Sequence, residues 1–249
     1  MMTSEPRRPA IPLERMPTPQ MLSCVEPFTV SPQCALDRIA AASSRQRVPA
    51  GTLLVRDGEL AAFVYVVLRG RMNLIRCGAA GRGLILASLG AGEIFGESCL
   101  LAGVRASTSA VAGAASDLCR LPAAVSRRHL DSHPAASARL MRLMHDRMRD
   151  LESVASGLAL CDVEERLRRT LATLARRQGR RERTSRDWVL VPAPTQSELA
   201  RMVGSCRETV SRTLTAMARE GLVTTVGRKM LLSEKLVETL EGVVQPPAV

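Results

Sequence analysis

The hydrophobic pattern of the chain changes at Pro122, and this change limits the folds that are open to it. From Val48 to Leu121, short apolar runs such as FVYVVL and LILASL are separated by glycines. Short runs with regular turn signals are typical of antiparallel strands in a sandwich or roll. After Pro122 the apolar residues recur with a period near 3.6, which indicates helices. The sequence therefore predicts a β domain followed by helical segments.

The N-terminal stretch, residues 1–33, follows neither pattern. It contains prolines at positions 6, 9, 12, 17, 19, 27 and 32. Proline-rich sequence without periodicity is typical of irregular, solvated chain. We predict a mobile arm that joins no core, so that truncation there costs little stability. The β domain is then expected to occupy residues 34–133.

Residues 134–160 predict a single long helix that begins at Pro134. One stripe of this helix is apolar, with spacings of three and four residues, and consists of Met141, Met144, Met148, Leu151, Ala155 and Leu158. An a/d stripe of this kind needs a partner surface. It could pack on the β domain of the same chain. The stripe is narrow and the opposite face is charged, which favours a two-helix contact between the subunits of a homodimer.

The C-terminal segment, residues 161–249, contains two helix-start signals. The tetrapeptides TQSE, from Thr195, and SCRE, from Ser205, both have the form of a capping box. Gly204 between them predicts a tight turn, and Gly221 predicts the end of the second helix. The apolar runs LVTTV and KMLLS then flank a glycine and predict a small hairpin. Together these elements predict a winged helix-turn-helix.

The second of these helices has one polar face and one apolar face. The polar face carries Arg207, Glu208, Ser211 and Arg212, while Val210, Leu214 and Met217 lie opposite. Arginine donates to guanine in the major groove and glutamate accepts from cytosine, so this face can read a G·C-containing site. The alternative is a solvated face on which Glu208 and Arg212 form an i,i+4 ion pair.

Composition narrows the class of protein further. The formal net charge is +11, which favours a polyanionic partner. The seven cysteines form no CxxC pair, as expected in a reducing compartment. No apolar run approaches the ~20 residues of a membrane span, so we expect a cytoplasmic protein with no membrane partner. We find no catalytic set and no metal-ligand spacing among His129, His133 and His145, and predict neither an enzyme nor a metal site.

Three motifs together resemble the Crp/Fnr family of bacterial transcription regulators. They are TQSELARMVGSCRETVSRTLTAMAREGLV, the helix end GLALCDVEERL, and GEIFGES in the β domain. The resemblance covers roughly residues 36–241. It implies an α+β fold with an N-terminal β roll of the cyclic-nucleotide-binding type, a long dimerisation helix and a C-terminal winged helix-turn-helix. It also implies a homodimer on palindromic double-stranded DNA.

The resemblance assigns roles in DNA binding to individual residues. Arg207, Glu208 and Arg212 match the base-reading positions of the branch that responds to cyclic AMP, and Ser211 matches a reading position of the oxygen-sensing branch. Half-sites containing TGA are common to both branches, and Arg207 favours TGTGA-like half-sites. Phosphate contacts are implied for Gln196, Ser197 and Thr209.

The resemblance also places an effector pocket in the roll. Its residues are Gly96, Glu97, Ser98, Arg105 and Ser107, joined by Leu151 and Glu152 of the long helix. Gly96-Glu97 would bind ribose, and Arg105 would bind phosphate. Counted from Gly96, however, Arg105 lies one residue before the position of the corresponding arginine in the family. A shift of one residue turns a side chain to the opposite face of a strand. Leu151 lacks the hydroxyl that contacts adenine in relatives. We therefore expect no ordinary response to cyclic AMP.

Several alternatives stay open at this stage. The sequence assigns no cofactor with certainty, and a cyclic nucleotide or a cyclic dinucleotide is the candidate effector. Cys24, Cys34 and Cys119 suggest a redox-responsive regulator, as does Cys206 at the start of the reading helix. The chain could also be a nucleotide-sensing module that acts on a protein partner. We expect the hinge at Asp162, and RNA polymerase is a candidate partner with no surface assigned to it.

Overall fold

The glycine-separated apolar runs form the strands of a β roll. The computed structural model describes residues 17–78, 83–182 and 185–238. Within these ranges the chain divides into two compact units, one formed by residues up to Leu74 with Leu89–Asp150, the other by Ile75–Ser88 with the chain from Leu151. Residues 1–16 and 239–249, the outer parts of the predicted arm and DNA-binding domain, lie outside the described residues. The predicted α+β class is confirmed.

The roll consists of two four-stranded sheets. One has the order β1-β8-β3-β6 and the other β2-β7-β4-β5. The strands are β1 (Ser44–Val48), β2 (Leu53–Val55), β3 (Phe63–Arg69), β4 (Met72–Cys77), β5 (Gly83–Leu89), β6 (Ile94–Phe95), β7 (Ser109–Ala112) and β8 (Ser116–Pro122). β3 and β1 both pair antiparallel with β8. The sequence reading missed β1 because SRQRV is mostly polar, and β6 because it has two residues.

The N-terminal segment is part of the core, and the prediction of a free arm is wrong for residues 17–33. α1 (Pro19–Leu22) and a 3₁₀ turn (Phe28–Val30) precede α2 (Gln33–Ala42). The apolar side chains of this segment, Met21, Leu22, Val25 and Phe28, are buried in the cluster that includes Val64 and Leu121 of the roll. The prolines do not disorder it, because Pro19 occupies the first turn of α1 and Pro32 precedes α2, where a missing N–H costs nothing.

Two helices follow the roll, α3 (Ala123–Ser132) and α4 (Pro134–Leu160). α4 has the predicted 27 residues. In the first unit its inner side packs on the core through Leu140 and Leu143. Met141 and Met148 of the predicted seam point to solvent, with exposed fractions of 67% and 52%. These two seam residues therefore do not pack on the β domain of their own chain, whereas Met144 is half-buried.

The rest of the second unit contains the predicted helix-turn-helix and hairpin, together with further helices and strands. Its helices are α5 (Val163–Gln178), α6 (Gln196–Val203), α7 (Arg207–Arg219) and α8 (Glu234–Glu238). A sheet of order β11-β12-β10-β9 contains β9 (Arg180–Arg181), β10 (Trp188–Leu190), β11 (Val223–Val226) and β12 (Lys229–Leu232). Leu167, Leu171, Leu199, Val210 and Met217 are fully buried between these elements.

The two helix starts of the helix-turn-helix differ from each other. Thr195 forms the predicted capping box with Glu198. The second predicted box is wrong, because Cys206 is the N-cap of α7 and makes no side-chain cap bond. The Ser205 amide instead donates to the Ala200 carbonyl, which closes the end of α6 around the left-handed Gly204. Ser205, which the motif predicted as the N-cap of α7, therefore belongs to the turn that ends α6.

Candidate nucleic-acid interface and sensor pocket

The reading helix α7 is anchored by one face and displays the other. Val210 and Met217 are buried in the second unit. Arg207, Glu208 and Arg212 are exposed and Ser211 is half-buried, so the structure places all four predicted base-reading residues on the outer side. Because α7 begins at Arg207, two of the four lie in its first turn, where base-reading side chains of a helix-turn-helix are expected.

The first turn of α7 favours the ionised form of Glu208. A hydrogen bond from its own backbone amide lowers the pKa of Glu208, as do the Cys206 side chain and the nearby Arg207 and Arg212. An ionised carboxylate accepts hydrogen bonds only, which suits the amino group of cytosine. The Arg212 guanidinium lies 3.4 Å from the Thr209 hydroxyl, which orients it along the helix.

Two of the three predicted phosphate contacts lie in the first turn of α6. Gln196 and Ser197 are exposed there, beside backbone amides that carry partial positive charge. Thr209 is half-buried, and its hydroxyl already lies 3.1 Å from the Cys206 sulfur. The wing is the β11–β12 hairpin, whose turn contains Gly227 with φ +56°. The amide of Ala193 donates to the Arg228 carbonyl at 2.9 Å and ties the approach to α6 to this turn.

In the first unit, the acidic end of the predicted effector pocket is built around Gly96. This glycine has φ +81°, and a Cβ at this position would stand 2.6 Å from the Phe63 carbonyl oxygen. The next residue, Glu97, is bonded through Oε1 to Arg147 of α4 at 2.6 Å. Arg147 also donates to the Ile94 carbonyl. The sequence did not predict a role for Arg147, because this residue belongs to no motif and lies on α4 outside the apolar seam.

The phosphate end of the pocket differs from the arrangement that the resemblance implies. Arg105 is exposed and donates to the Gly58 carbonyl at 2.9 Å. Its neighbour Ala106 is buried and pairs through its backbone with Gly58 and Glu59. The guanidinium that would bind phosphate is thus engaged with a surface carbonyl, and its buried neighbour is an alanine. Ser98 is half-buried in the 3₁₀ turn after Gly96, and Ser107 is exposed.

These positions decide whether a cyclic nucleotide fits as the resemblance implies. Glu97 Oε2 is buried and has no hydrogen-bond partner among the described residues, so it can accept from a hydroxyl. Leu151 and Glu152 on α4 are exposed, and Leu151 has no hydroxyl. The sugar end therefore keeps a free acceptor, while the Arg105 guanidinium already donates to a backbone carbonyl.

The three cysteines that suggested a redox-responsive regulator lie in unlike environments. Cys119 is buried in the core, and burial raises the pKa of its thiol to about 11. Cys24 is half-buried and Cys34 is exposed. Among the described residues no three metal-ligating side chains come together. His129 and His133, two of the histidines without metal spacing, stack on each other with ring centroids 4.4 Å apart.

A β roll with a Gly-Glu turn, followed by a long helix and an exposed reading helix, defines a DNA-binding regulator with a sensor domain. Family profiles agree with this. One described as cyclic nucleotide-binding domain matches residues 45–133, and one described as Crp-like helix-turn-helix domain matches residues 165–238. Two relatives are at least 30% identical to this chain and cover more than two thirds of it. The chain belongs to the Crp/Fnr family of transcription regulators, which are not enzymes.

Relatives and solved structures support this assignment. The CRP-like protein Clp of Xanthomonas euvesicatoria is 31% identical, covering 81% of this chain and 91% of its own. The cyclic AMP receptor protein of Thermus thermophilus is 36% identical, covering 72% and 79%. The c-di-GMP-responsive regulator CLP of Xanthomonas campestris has a TM-score of 0.64 at 25% identity, covering 81% and 99%. FixK2 of Bradyrhizobium japonicum shares the fold, with a TM-score of 0.71 at 18% identity, covering 83% and 99%.

None of the helices in the described part of the chain combines the length and apolar composition that a membrane crossing requires.

Proposed function

We propose that the protein is a homodimeric transcription regulator that reads a palindromic site with TGTGA-like half-sites. The observation that supports this most is the outer face of α7, where Arg207, Glu208 and Arg212 are exposed while the inner face is buried. Arginine at the first position favours guanine, and ionised Glu208 favours the cytosine of the neighbouring pair. Ser211 supplies a further hydroxyl, and Gln196, Ser197 and Thr209 bind phosphates.

The proposed dimer uses the apolar seam of α4. Met141 and Met148 are exposed in the first unit, and Leu151, Ala155 and Leu158 are exposed in the second. Met144 is half-buried. An apolar stripe on a 27-residue helix is costly in water and matches an identical stripe related by a two-fold axis. Asp162, the proposed hinge, follows α4 and caps α5 by accepting from the Glu165 amide at 2.8 Å.

We propose that residues 17–133 form the domain that senses an effector, residues 134–160 the dimerisation helix, and residues 161–249 the DNA-binding domain. A relative is named for cyclic AMP and another for c-di-GMP. Arg105, which would bind phosphate, already donates to the Gly58 carbonyl, and this argues against a cyclic monophosphate held in the family's manner. We propose that the roll does not respond to cyclic AMP, and that any effector engages Glu97 through a hydroxyl group.

The test of the DNA-binding proposal is selection from random duplex oligonucleotides, followed by titration of Arg207→Ala. We expect an inverted repeat, and a loss of about 1–3 kcal/mol with relaxed preference at one base pair. The matched control is Arg219→Ala, at the exposed end of the same helix. Selection without an inverted repeat would overturn the proposal. Equal binding of all sequences would instead favour a basic surface that docks on a protein partner.

The test of the dimer is sedimentation of Met148→Lys beside Asp146→Lys. Both variants introduce the same exposed lysine, the first on the seam and the second on the opposite face of α4. A charge in an apolar seam is expected to dissociate the dimer, whereas the control stays dimeric. A monomeric wild-type protein with DNA binding intact would refute the proposed dimer.

Effector binding is tested by thermal-shift titration of the wild-type protein with cyclic AMP, cyclic GMP and cyclic di-GMP. A ligand that binds only the folded state raises the melting temperature. We expect no shift with cyclic AMP. A saturable shift with cyclic AMP would contradict the proposal, and its loss in Arg105→Ala would show that Arg105 binds the phosphate.

A further inference from the structure

A single guanidinium binds the ends of two helices at the junction between α4 and α5. Arg166 of α5 donates from Nη1 to the Cys161 carbonyl at 2.6 Å and from Nε to the Val203 carbonyl at 2.8 Å. Cys161 directly follows α4, and Val203 is the last residue of α6. Both carbonyls belong to the second unit, as does Arg166.

The chemistry of this contact explains why arginine occupies the position. The last carbonyls of a helix have no intrahelical donor, and a cation at a helix C-terminus is favourable. Arginine has five N–H donors in a planar fork and can serve two acceptors at a fixed geometry. Arg166 is half-buried, so water competes less for these two hydrogen bonds than on an open surface.

A packing contact joins the same two places. Leu158, in the last turn of α4, lies with its Cδ2 2.8 Å from the point where a Cβ on Gly204 would stand. Gly204 is the turn residue between α6 and α7, with φ +62°. Leu158, which the seam also includes, thus packs partly on this turn and remains 39% exposed. The end of α4 is therefore linked to the turn before the reading helix by polar and apolar contacts.

We propose that Arg166 is a positioning residue that fixes the turn before α7 to the end of the long helix. It does not contact DNA. Because α4 also holds the dimer, this attachment would keep the two reading helices at the separation of an inverted repeat. The inference rests on the proposed function, since it needs a dimer that reads two half-sites.

Loosening the attachment at Arg166 affects DNA binding in a way that a general loss of stability does not. When one half-site is bound, the second reader binds intramolecularly, at an effective concentration set by how well it is held in place. Loosening the attachment lowers that effective concentration. Affinity for a complete inverted repeat then falls, while affinity for a single half-site, which needs one reader, is kept.

The experiment compares Arg166→Gln and Arg166→Lys with wild type by fluorescence anisotropy at fixed salt. Each protein is titrated with a duplex that contains the selected inverted repeat and with one that contains a single half-site. For Arg166→Gln we expect a loss of roughly tenfold or more on the inverted repeat and a change within about twofold on the half-site. Arg166→Lys keeps the charge but not the fork and should fall between.

The matched control is Arg169→Gln, one helical turn along α5. Arg169 pairs with Glu165 of its own helix at 2.5 Å, so its removal should leave the ratio of the two affinities unchanged. An equal loss on both duplexes, or no loss on either, would overturn the role of Arg166. A wild-type protein without preference for the inverted repeat would instead show that the proposed function itself fails.

A second pair of variants covers the case in which Arg166→Gln does not fold. Leu158→Ala removes the packing contact with the Gly204 turn, and Leu160→Ala removes an 82% exposed leucine two residues away. Both are checked for dimerisation by sedimentation. We expect the affinity for the inverted repeat, relative to that for the single half-site, to fall for Leu158→Ala only. A dimeric Leu158→Ala protein with the wild-type ratio would contradict the proposed attachment.

Discussion

The reading face and the sensor pocket differ in how much of the family's chemistry they keep. On α7, all four residues that the resemblance assigns to base reading are at least partly exposed on one side. In the roll, Glu97 keeps a buried acceptor, while the guanidinium of Arg105 donates to the Gly58 carbonyl. A helix face depends on a local repeat of 3.6 residues, whereas a pocket at strand ends depends on register. The pocket is therefore the easier site to alter by a change of one residue.

The two regions also differ in what stabilises them. The roll depends on a distant segment, because Leu22 and Val25 of the N-terminal stretch are fully buried against it. The helix-turn-helix is built from sequence-adjacent helices that pack on each other. The following variants test this contrast, beginning with the largest expected effect.

Leu22→Ala is expected to destabilise the roll by about 2–5 kcal/mol, because it removes a buried side chain and leaves a cavity. Chemical denaturation measures the loss. The control is Leu60→Ala, since Leu60 is exposed and its removal should change the free energy of unfolding by at most about 0.5 kcal/mol. A small effect of Leu22→Ala would restore the view that the N-terminal segment is a dispensable arm.

Gly204→Ala is expected to destabilise the DNA-binding unit by about 1–2 kcal/mol from the left-handed backbone alone. The new Cβ would also press on Leu158. Emission from Trp188, the only tryptophan of the sequence, follows the unfolding of this unit. Gly221→Ala also has positive φ but nothing within 4 Å of the new Cβ, so a smaller loss is expected there. Equal losses would show that the contact with Leu158 contributes nothing.

His129 is expected to make the stability of the first unit depend on pH. Burial, with His133 and Arg38 nearby, lowers the pKa of His129 from 6.5 to about 4. Below pH 6.5 the unfolded chain therefore takes up a proton that the folded chain does not, and the free energy of unfolding falls until about pH 4. Hydrogen exchange of the first unit should show this loss in wild type and less of it in His129→Gln. An unchanged pH dependence in the variant would assign the effect to other groups.

Arg105→Ala is expected to have the smallest effect, because the guanidinium is exposed and its partner is a surface carbonyl, that of Gly58. Stability should change by at most about 0.5 kcal/mol, and thermal shifts with cyclic nucleotides should match those of wild type. If a wild-type shift with a cyclic nucleotide disappeared in this variant, Arg105 would reach the ligand. The contrast between the two sites would then be lost.

Much of the fold could be predicted because its signals are local. The bounds of α4, the capping box at Thr195 and the hairpin around Gly227 agree with the sequence reading. The prediction at Ser205 was wrong because the same four letters fit either a cap or the closing of the previous helix. The backbone of Gly204 decides between them.

The candidate sites also combine residues that local spacing predicts with residues that it does not. The spacing of Arg207, Glu208 and Arg212 was enough to place them on one face, because helical geometry is set by the backbone. The partners of Glu97 and of the α4 end, Arg147 and Arg166, carried no motif, since each acts across a distance in sequence that no local pattern encodes.

Sequence alone determined the longer strands of the roll, the bounds of α4 and which face of the reading helix is polar, since these follow from short-range periodicity. Tertiary structure alone decided that residues 17–33 join the core, that Arg105 donates to the Gly58 carbonyl, and that Arg166 links two helix ends. Burial and hydrogen-bond partners depend on which segments meet, and that is settled only when the whole chain has packed.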